Sequence, residues 1–172
     1  MISLVRRQSL RPAFEPRYYR RMAAGSPDLS SATLSPLILI VEDDVETRRF
    51  YMRVFELEGF RTGQAHNGLQ AFEKAVQALP DLIITDIAVP GIDGIELCRR
   101  LRADERTRRI PVLAITGYGD RQYDDRARDA GADRVLIKPC SADGLAAEAR
   151  RLLARGVVTR QSPGSGAARK AV

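Results

Sequence analysis

Five short segments with strand character recur at regular intervals along the middle of the chain. Four are apolar runs rich in β-branched residues, namely Leu37–Val41, Leu82–Thr85, Ile110–Ile115 and Val135–Ile137, and the fifth is Phe60–Ala65. The apolar runs do not alternate with polar residues along their length. Such strands are buried on both faces, which is typical of a parallel sheet covered by helices on both sides.

Each strand is followed by a segment whose apolar residues have helical spacing. The predicted helices cover residues 45–58, 69–79, 95–103, 121–130 and 141–155, and Asp44 and Ser141 cap the first and the last. We expect these residues to face the sheet: Phe50, Val54 and Leu57; Leu69, Phe72, Val76 and Leu79; Tyr123, Ala127 and Ala130; and Leu145, Ala149, Leu152 and Leu153. The fourth helix therefore offers little apolar surface and should be thinly packed and easily displaced.

The alternation of strands and helices places the chain in the α/β class. Right-handed crossovers leave few topologies. The natural choice is a flavodoxin-like, doubly wound (βα)5 fold with the parallel sheet order 2-1-3-4-5. In this order the ligand crevice opens between strands one and three, at the carboxyl ends of the strands.

Length and charge define the domain organisation. A chain of 172 residues has room for one domain with two tails. The net charge of +6 belongs to the ends, because residues 1–35 carry +4 and residues 156–172 carry +3. We predict a disordered basic N-terminal tail over residues 1–35, with Met22 as an alternative start, and a flexible C-terminal tail over residues 156–172. Charge gives no support for nucleic-acid binding by the core.

The cysteines, the longest apolar run and the single histidine indicate the environment of the protein and which ligand sites to expect. Cys98 and Cys140 lie far apart and fit no zinc-binding spacing, so we expect free thiols in a reducing cytoplasm. The longest apolar run, Leu37–Val41, is much shorter than the ~20 residues that a membrane span needs. The single histidine, His66, falls in a predicted loop and has no sequence neighbours that indicate a ligand role.

Polar residues follow four of the predicted strands. Glu42, Asp43 and Asp44 follow strand one, Asp86 ends strand three, Thr116 follows strand four and Lys138 follows strand five. In the predicted sheet order these strands are neighbours, so the side chains should converge on one rim. A carboxylate at the mouth of a buried strand is costly unless it is paired or functional, which makes Asp86 the candidate active residue.

This combination of groups suits phosphoryl transfer. Several carboxylates in one pocket repel each other, and a hard divalent cation such as Mg²⁺ relieves the repulsion. Asp86 could then act as a nucleophile toward phosphorus, while Lys138 supplies positive charge and the Thr116 hydroxyl donates a hydrogen bond.

The motifs ILIVEDD, LIITDIAVPGIDG, VLAIT and VLIKP occur in this order and at these spacings, and through them residues 36–155 resemble a response-regulator receiver domain of two-component signalling. The resemblance implies that Asp86 accepts a phosphoryl group from the phosphohistidine of a sensor histidine kinase or a histidine phosphotransfer protein. It also implies that Asp43 and Asp86, Glu42 through water, and the backbone carbonyl of Ala88 bind Mg²⁺. Thr116 and Lys138 would bind the phosphoryl group.

The resemblance also predicts how the protein passes on its signal. No DNA-binding or enzymatic domain fits after Arg155, so we expect a stand-alone receiver of the chemotaxis type. We expect it to be a signalling receiver that assists its own phosphorylation and dephosphorylation, and not an enzyme. The face formed by helix four, strand five and helix five is the expected contact surface for a protein partner. Val135 occupies the position where many members carry an aromatic switch residue. A valine cannot signal by rotation of an aromatic ring, and Tyr118 is a candidate to fill part of that role.

Two other classes of protein fit less well. A phosphatase of the haloacid dehalogenase type carries its nucleophile on the first strand with a second Asp two residues later, whereas here Asp43 is followed at that spacing by Val45. A flavodoxin-like cofactor binder needs a phosphate-binding loop after strand one, where the acidic run of this chain would repel phosphate.

Overall fold

The computed structural model describes residues 35–117 and 121–160. The predicted N-terminal tail up to residue 34, the alternative start at Met22, Tyr118 and the last twelve residues of the predicted C-terminal tail lie outside the described residues. Within the described part, both cysteines are free thiols, as predicted. No helix of the described part is long and apolar enough to cross a membrane.

The described residues form five parallel strands and five helices in strict alternation. The strands are β1 (Leu37–Val41), β2 (Arg61–Ala65), β3 (Leu82–Asp86), β4 (Val112–Thr116) and β5 (Arg134–Ile137). The helices are α1 (Val45–Leu57), α2 (Gly68–Ala78), α3 (Gly94–Ala103), α4 (Arg121–Asp129) and α5 (Ala142–Arg160). The sheet order is β2-β1-β3-β4-β5, which confirms the predicted doubly wound fold.

Two apolar clusters cover the two faces of the sheet. Because successive strand residues point to opposite faces, Ile83 belongs to one cluster and Ile84 to the other. The first cluster is completed by residues of α2, α3 and α4. The second is completed by residues of α1 and α5, including the predicted set Leu145, Ala149, Leu152 and Leu153. The three central strands are thus buried on both sides, as continuously apolar strands require, whereas the edge strands β2 and β5 are partly exposed.

The inward faces of α1 and α2 differ from the prediction. In α1 the buried residues are Tyr51 and Phe55, while Phe50 and Leu57 are 47% and 66% exposed. In α2 the fully buried side chains are Ala71 and Ala75, and Leu69 and Leu79 are exposed. The two helices carry overlapping apolar stripes, and the choice between stripes is made by packing rather than by periodicity.

Close packing explains the choice in α2. A methyl carbon built on Gly68 would lie 2.2 Å from the carbonyl oxygen of Ile92, so the start of α2 is in direct contact with the loop before α3. Small residues on the buried face allow this approach, and larger side chains there would not fit. Leu79 has a φ of 46° and ends the helix in a left-handed cap, which removes it from the inward stripe.

The last two helices follow the prediction more closely. In α4, Ala127 and Ala130 are buried and Tyr123 packs against the first cluster, as expected for its narrow apolar stripe. Helix α5 continues to Arg160, five residues beyond its predicted end. The predicted flexible tail over residues 156–172 therefore begins too early, because one interior glycine such as Gly156 costs only about 1 kcal/mol relative to alanine and does not by itself break a helix.

Candidate functional site

Asp86 is the last residue of β3, a central strand whose five residues are all buried. The residue is only 7% exposed. Its Oδ1 accepts a hydrogen bond of 2.9 Å from the backbone N–H of Ala88, which fixes one edge of the carboxylate at the carboxyl end of the sheet. The other oxygen, Oδ2, is directed to Lys138. The fold therefore presents a nearly buried carboxylate with both oxygens oriented.

Gly94 allows α3 to begin directly against this strand end. Its backbone N–H donates to the carbonyl of Ile87 at 3.0 Å. A methyl carbon built on Gly94 would lie 2.5 Å from the carbonyl oxygen of Asp86 and 2.9 Å from Cα of Ile87. Such distances are too short for real contacts, so a side chain here would displace the main chain that carries Asp86.

We expect Gly94→Ala to lower the free energy of unfolding by about 1–3 kcal/mol, as overpacking against backbone does. Chemical denaturation measures the change. Gly63→Ala is the matched control, because a methyl group there would meet Leu39 Cδ1 and Leu37 Cδ1 at the ordinary contact distances of 3.5 and 4.0 Å. We expect a change of no more than about 0.5 kcal/mol for the control. Equal destabilisation by both substitutions would contradict the importance of the Gly94 contact.

The loop between β1 and α1 contributes two further carboxylates. Glu42 is 2% exposed and Asp43 is exposed, while Asp44 caps α1 by accepting from the backbone N–H of Thr47 at 2.7 Å. One carboxylate oxygen from each of Glu42, Asp43 and Asp86 lies within 4.8 Å of the others. Burial raises the pKa of Glu42, and the hydrogen bond from Lys138 opposes this effect. The predicted acidic group therefore converges as expected.

Arg48 supports this loop and was not anticipated from the sequence. Its Nη1 donates to the backbone carbonyls of Glu42 at 2.7 Å and Asp43 at 3.1 Å. The signal for it was available, because Arg48 lies one helical turn after the capping residue Asp44 and helical side chains reach back toward the N-terminus. The guanidinium group satisfies carbonyls that the irregular loop would otherwise leave to water.

Lys138 brings a positive charge between two of the carboxylates. Its Nζ lies 2.5 Å from Asp86 Oδ2 and 2.8 Å from Glu42 Oε2. Burial favours the neutral amine, but the hydrogen bonds to Asp86 and Glu42 outweigh it, so the pKa of Lys138 lies above its ordinary value. The ammonium group remains charged at all physiological pH values and stabilises the buried carboxylates.

Thr116, which was predicted to bind the phosphoryl group, is the last residue of β4, the strand next to β3. The residue is fully buried, and its backbone carbonyl accepts a 2.7 Å hydrogen bond from the backbone N–H of Lys138. Ala88, whose carbonyl was predicted as a metal ligand, follows Asp86 in the exposed part of the next loop. Val135 is partly buried and packs against the first apolar cluster, so β5 presents an aliphatic side chain at the predicted switch position.

The donor set fits a hard divalent cation. The three converging side chains offer only carboxylate oxygens, which Mg²⁺ and Ca²⁺ prefer, and their net charge exceeds what the single ammonium group of Lys138 balances. A nearly buried carboxylate beside a cation site and an ammonium group can act as a nucleophile toward an anionic electrophile whose charge both cations offset.

Comparison with known proteins agrees with this geometry. Residues 38–150 match the family described as the response regulator receiver domain. The chain is 41% identical over 120 residues to the DNA-binding dual master transcriptional regulator RpaA of Synechocystis, covering 70% of this chain and 50% of that protein. It is 34% identical over 104 residues to the polar-differentiation response regulator DivK of Brucella anthropi, covering 60% of this chain and 85% of DivK.

A solved structure gives the same result at the level of the fold. The receiver domain of a signal transduction histidine kinase from Syntrophus aciditrophicus has a TM-score of 0.68 and 32% identity, covering 78% of this chain and all of that one. The chain spans about half the length of the first two curated relatives it matches.

Proposed function

Because this chain belongs to the response regulator receiver domain family of two-component signalling, we propose that it accepts a phosphoryl group on the carboxylate of Asp86. The donor is the phosphohistidine of a sensor histidine kinase or of a histidine phosphotransfer protein. The observation that carries the proposal is the placement of Asp86, nearly buried at the end of β3 and 2.5 Å from the ammonium group of Lys138.

The reaction needs an oxygen nucleophile and a way to offset negative charge. An oxygen of Asp86 attacks the phosphorus, the P–O bond forms, the P–N bond breaks, and the nitrogen of the donor imidazole keeps the electron pair. Lys138 offsets the charge of the phosphoryl oxygens from its place beside Asp86. We assign to Thr116, at the end of the neighbouring strand, the hydrogen bond to the transferred group.

We assign a Mg²⁺ site to Asp43 and Asp86, to Glu42 through water, and to the backbone carbonyl of Ala88. The oxygen-only donor set and the 4.8 Å spread of the carboxylate oxygens support the assignment. When bound, the ion would neutralise phosphoryl oxygens and lower the repulsion that the acidic cluster exerts on an anionic donor. The protein acts as a signalling receiver rather than as an enzyme with a separate substrate, and it promotes its own phosphorylation and dephosphorylation.

We propose that the phosphorylated protein signals in the cytoplasm to a protein partner, through the face formed by α4, β5 and α5. The narrow buried stripe of α4 supports this choice, because a helix that buries little apolar surface is displaced at low cost. The names of the relatives indicate different outputs: RpaA is described as DNA-binding, and DivK as a response regulator of polar differentiation.

Incubation with acetyl phosphate and Mg²⁺ is expected to add one phosphoryl group per chain, stable in acid and labile in base as an acyl phosphate is. Removal of divalent cations with a chelator should slow labelling by about tenfold or more, because the acidic cluster then repels the donor without relief. Intact-protein mass spectrometry measures the added group.

The control is readdition of Mg²⁺ to the chelated sample, which should restore the rate. Labelling that proceeds equally well without divalent cations would contradict the metal assignment. A labelled product that is stable in base would contradict the acyl phosphate itself.

A further inference from the structure

An open polar cleft lies beside the acidic site, between α1, the edge strand β2 and the start of α2. Its volume is about 260 Å³, and it is lined by Arg48, Gln64, Ala65, His66, Gln70 and Lys74. The proposed phosphoryl transfer uses none of these side chains. The volume is below the ~300–1,000 Å³ of sites for drug-sized ligands, so the cleft suits a small molecule or ion.

The hydrogen-bond acceptors at the cleft are already engaged within the protein. Gln64 Oε1 accepts from Arg48 Nε at 3.2 Å, and the backbone carbonyl of Gln64 accepts from Lys74 Nζ at 2.6 Å. Gln70 Oε1 accepts from the backbone N–H of His66 at 3.0 Å. Arg48 already donates through Nε and Nη1, and Lys74 donates one hydrogen bond from Nζ. The groups that remain for a ligand are still mostly donors: Nη2 of Arg48, the other hydrogens of Lys74 Nζ, the carboxamide NH₂ groups and the imidazole.

The two cations of the cleft are not neutralised by neighbouring carboxylates. Within the described part of the chain, neither Arg48 nor Lys74 forms an ion pair within 4.0 Å, whereas Arg49, on the same helix as Arg48, pairs with Glu46. Asp44 is close enough to Arg48 to feel its charge, but its side chain caps α1 and does not line the cleft. Two cations and several donors facing one small space indicate an anion.

From these contacts we infer that the cleft binds a small multivalent oxyanion of the phosphate class, such as inorganic phosphate or pyrophosphate. Arg48 and Lys74 hold it by charge-assisted hydrogen bonds, and the amides and the imidazole complete the donor set. The inference does not depend on the proposed function, because it requires no metal ion and no covalent step. Arg48 is the one residue that the two sites share, since it also supports the Glu42–Asp43 loop through its Nη1.

His66 makes a direct test possible, because it is the only histidine of the chain. Its imidazole signals are recorded in a proton–carbon correlation spectrum of the full-length protein while pyrophosphate is added at constant pH, after treatment with a chelator and dialysis to remove both the divalent cations and the chelator. The acidic site is then free of metal ions, so failure of the phosphoryl-transfer proposal does not affect the result. We expect a saturable shift at millimolar concentrations, and sodium chloride of equal ionic strength should not reproduce it.

Two variants distinguish binding in the cleft from a general effect of the protein's charge. Lys74→Gln should weaken binding by about tenfold, because it removes one charge-assisted contact. Arg109→Gln removes the same charge from the exposed loop before β4, outside the cleft, and should change affinity by no more than about twofold. A shift that does not saturate, or equal weakening by both variants, would overturn the inference. Binding of citrate as tight as that of pyrophosphate would overturn the phosphate class.

Discussion

Asp86→Asn is expected to lower phosphoryl incorporation from acetyl phosphate by about a hundredfold or more, because an amide oxygen is a poor nucleophile and cannot form a stable acyl phosphate. Asparagine has the same shape, and its oxygen can still accept the 2.9 Å hydrogen bond from the N–H of Ala88. The substitution also removes the charge that pairs with Lys138 and one proposed metal ligand, so the fold of the variant is measured beside its labelling. Mass spectrometry gives the yield, and circular dichroism checks the fold.

Asp125→Asn is the matched control. Asp125 is an exposed aspartate on α4, so the same change of charge occurs away from the acidic cluster. Its labelling should equal that of the wild type. If Asp86→Asn still gained a single base-labile phosphoryl group at the wild-type rate, the acceptor would be another residue and the proposed function would need a different site.

Lys138→Ala should lower the free energy of unfolding by about 3 kcal/mol at neutral pH in buffer without divalent cations. The substitution removes the ammonium group that lies 2.5 Å from Asp86 and 2.8 Å from Glu42. Two nearly buried carboxylates then face each other without a counter-charge, and burial alone already raises the pKa of Glu42. Urea denaturation followed by circular dichroism measures the loss.

The sign of the pH dependence follows from the same contacts. Burial raises the pKa of Glu42, and without Lys138 the hydrogen bond that opposes this effect is lost, so the folded state binds a proton at Glu42 more readily than the unfolded state does. The deficit relative to the wild type is therefore greatest above the ordinary pKa range of carboxyl groups and shrinks as the pH falls through it. Added Mg²⁺ should also reduce the deficit. Lys138→Arg keeps the charge and is the control, and a deficit equal to that of Lys138→Ala would show that size, not charge, matters at this position.

The sheet and the site could be predicted because both depend on local signals of the sequence. Continuous apolar runs indicated four of the five strands, and alternation with helices left one natural strand order. Once the order was known, Asp43, Asp86 and Lys138 had to meet, because the carboxyl ends of neighbouring parallel strands share an edge. The confirmed sheet order and the 2.5 Å contact between Lys138 and Asp86 follow directly from this reasoning.

The faces of α1 and α2 could not be predicted in the same way. In α1, the stripe through Phe50 and the stripe through Tyr51 and Phe55 have the same spacing, and only packing against β1 and α5 selects the second. In α2, the large residue Leu69 is exposed because the helix packs closely through Ala71 and Ala75. Hydrophobicity ranks leucine above alanine, but the distance between packed layers decides which of them fits.

Arg48 and the close packing at Gly94 were missed for a related reason, since each residue acts on main-chain atoms. Arg48 binds the carbonyls of Glu42 and Asp43, and Gly94 gives room to the carbonyl of Asp86. The position of a backbone carbonyl depends on the path of a loop, and the residue types of that loop do not encode it. Sequence patterns identified the chemically reactive side chains but not the residues that support their backbone.

The hydrogen bond from Lys138 N to Thr116 O has a consequence for how an event at Asp86 is communicated. It joins the ends of β4 and β5 through their main chains, so a movement of the Thr116 backbone toward a new group would pull the Lys138 backbone along with it. No ring at position 135 has to rotate for this mechanical coupling to operate. A valine at position 135 would then leave signal transmission intact. If this main-chain coupling operates, variants with other aliphatic residues at that position should also transmit the signal.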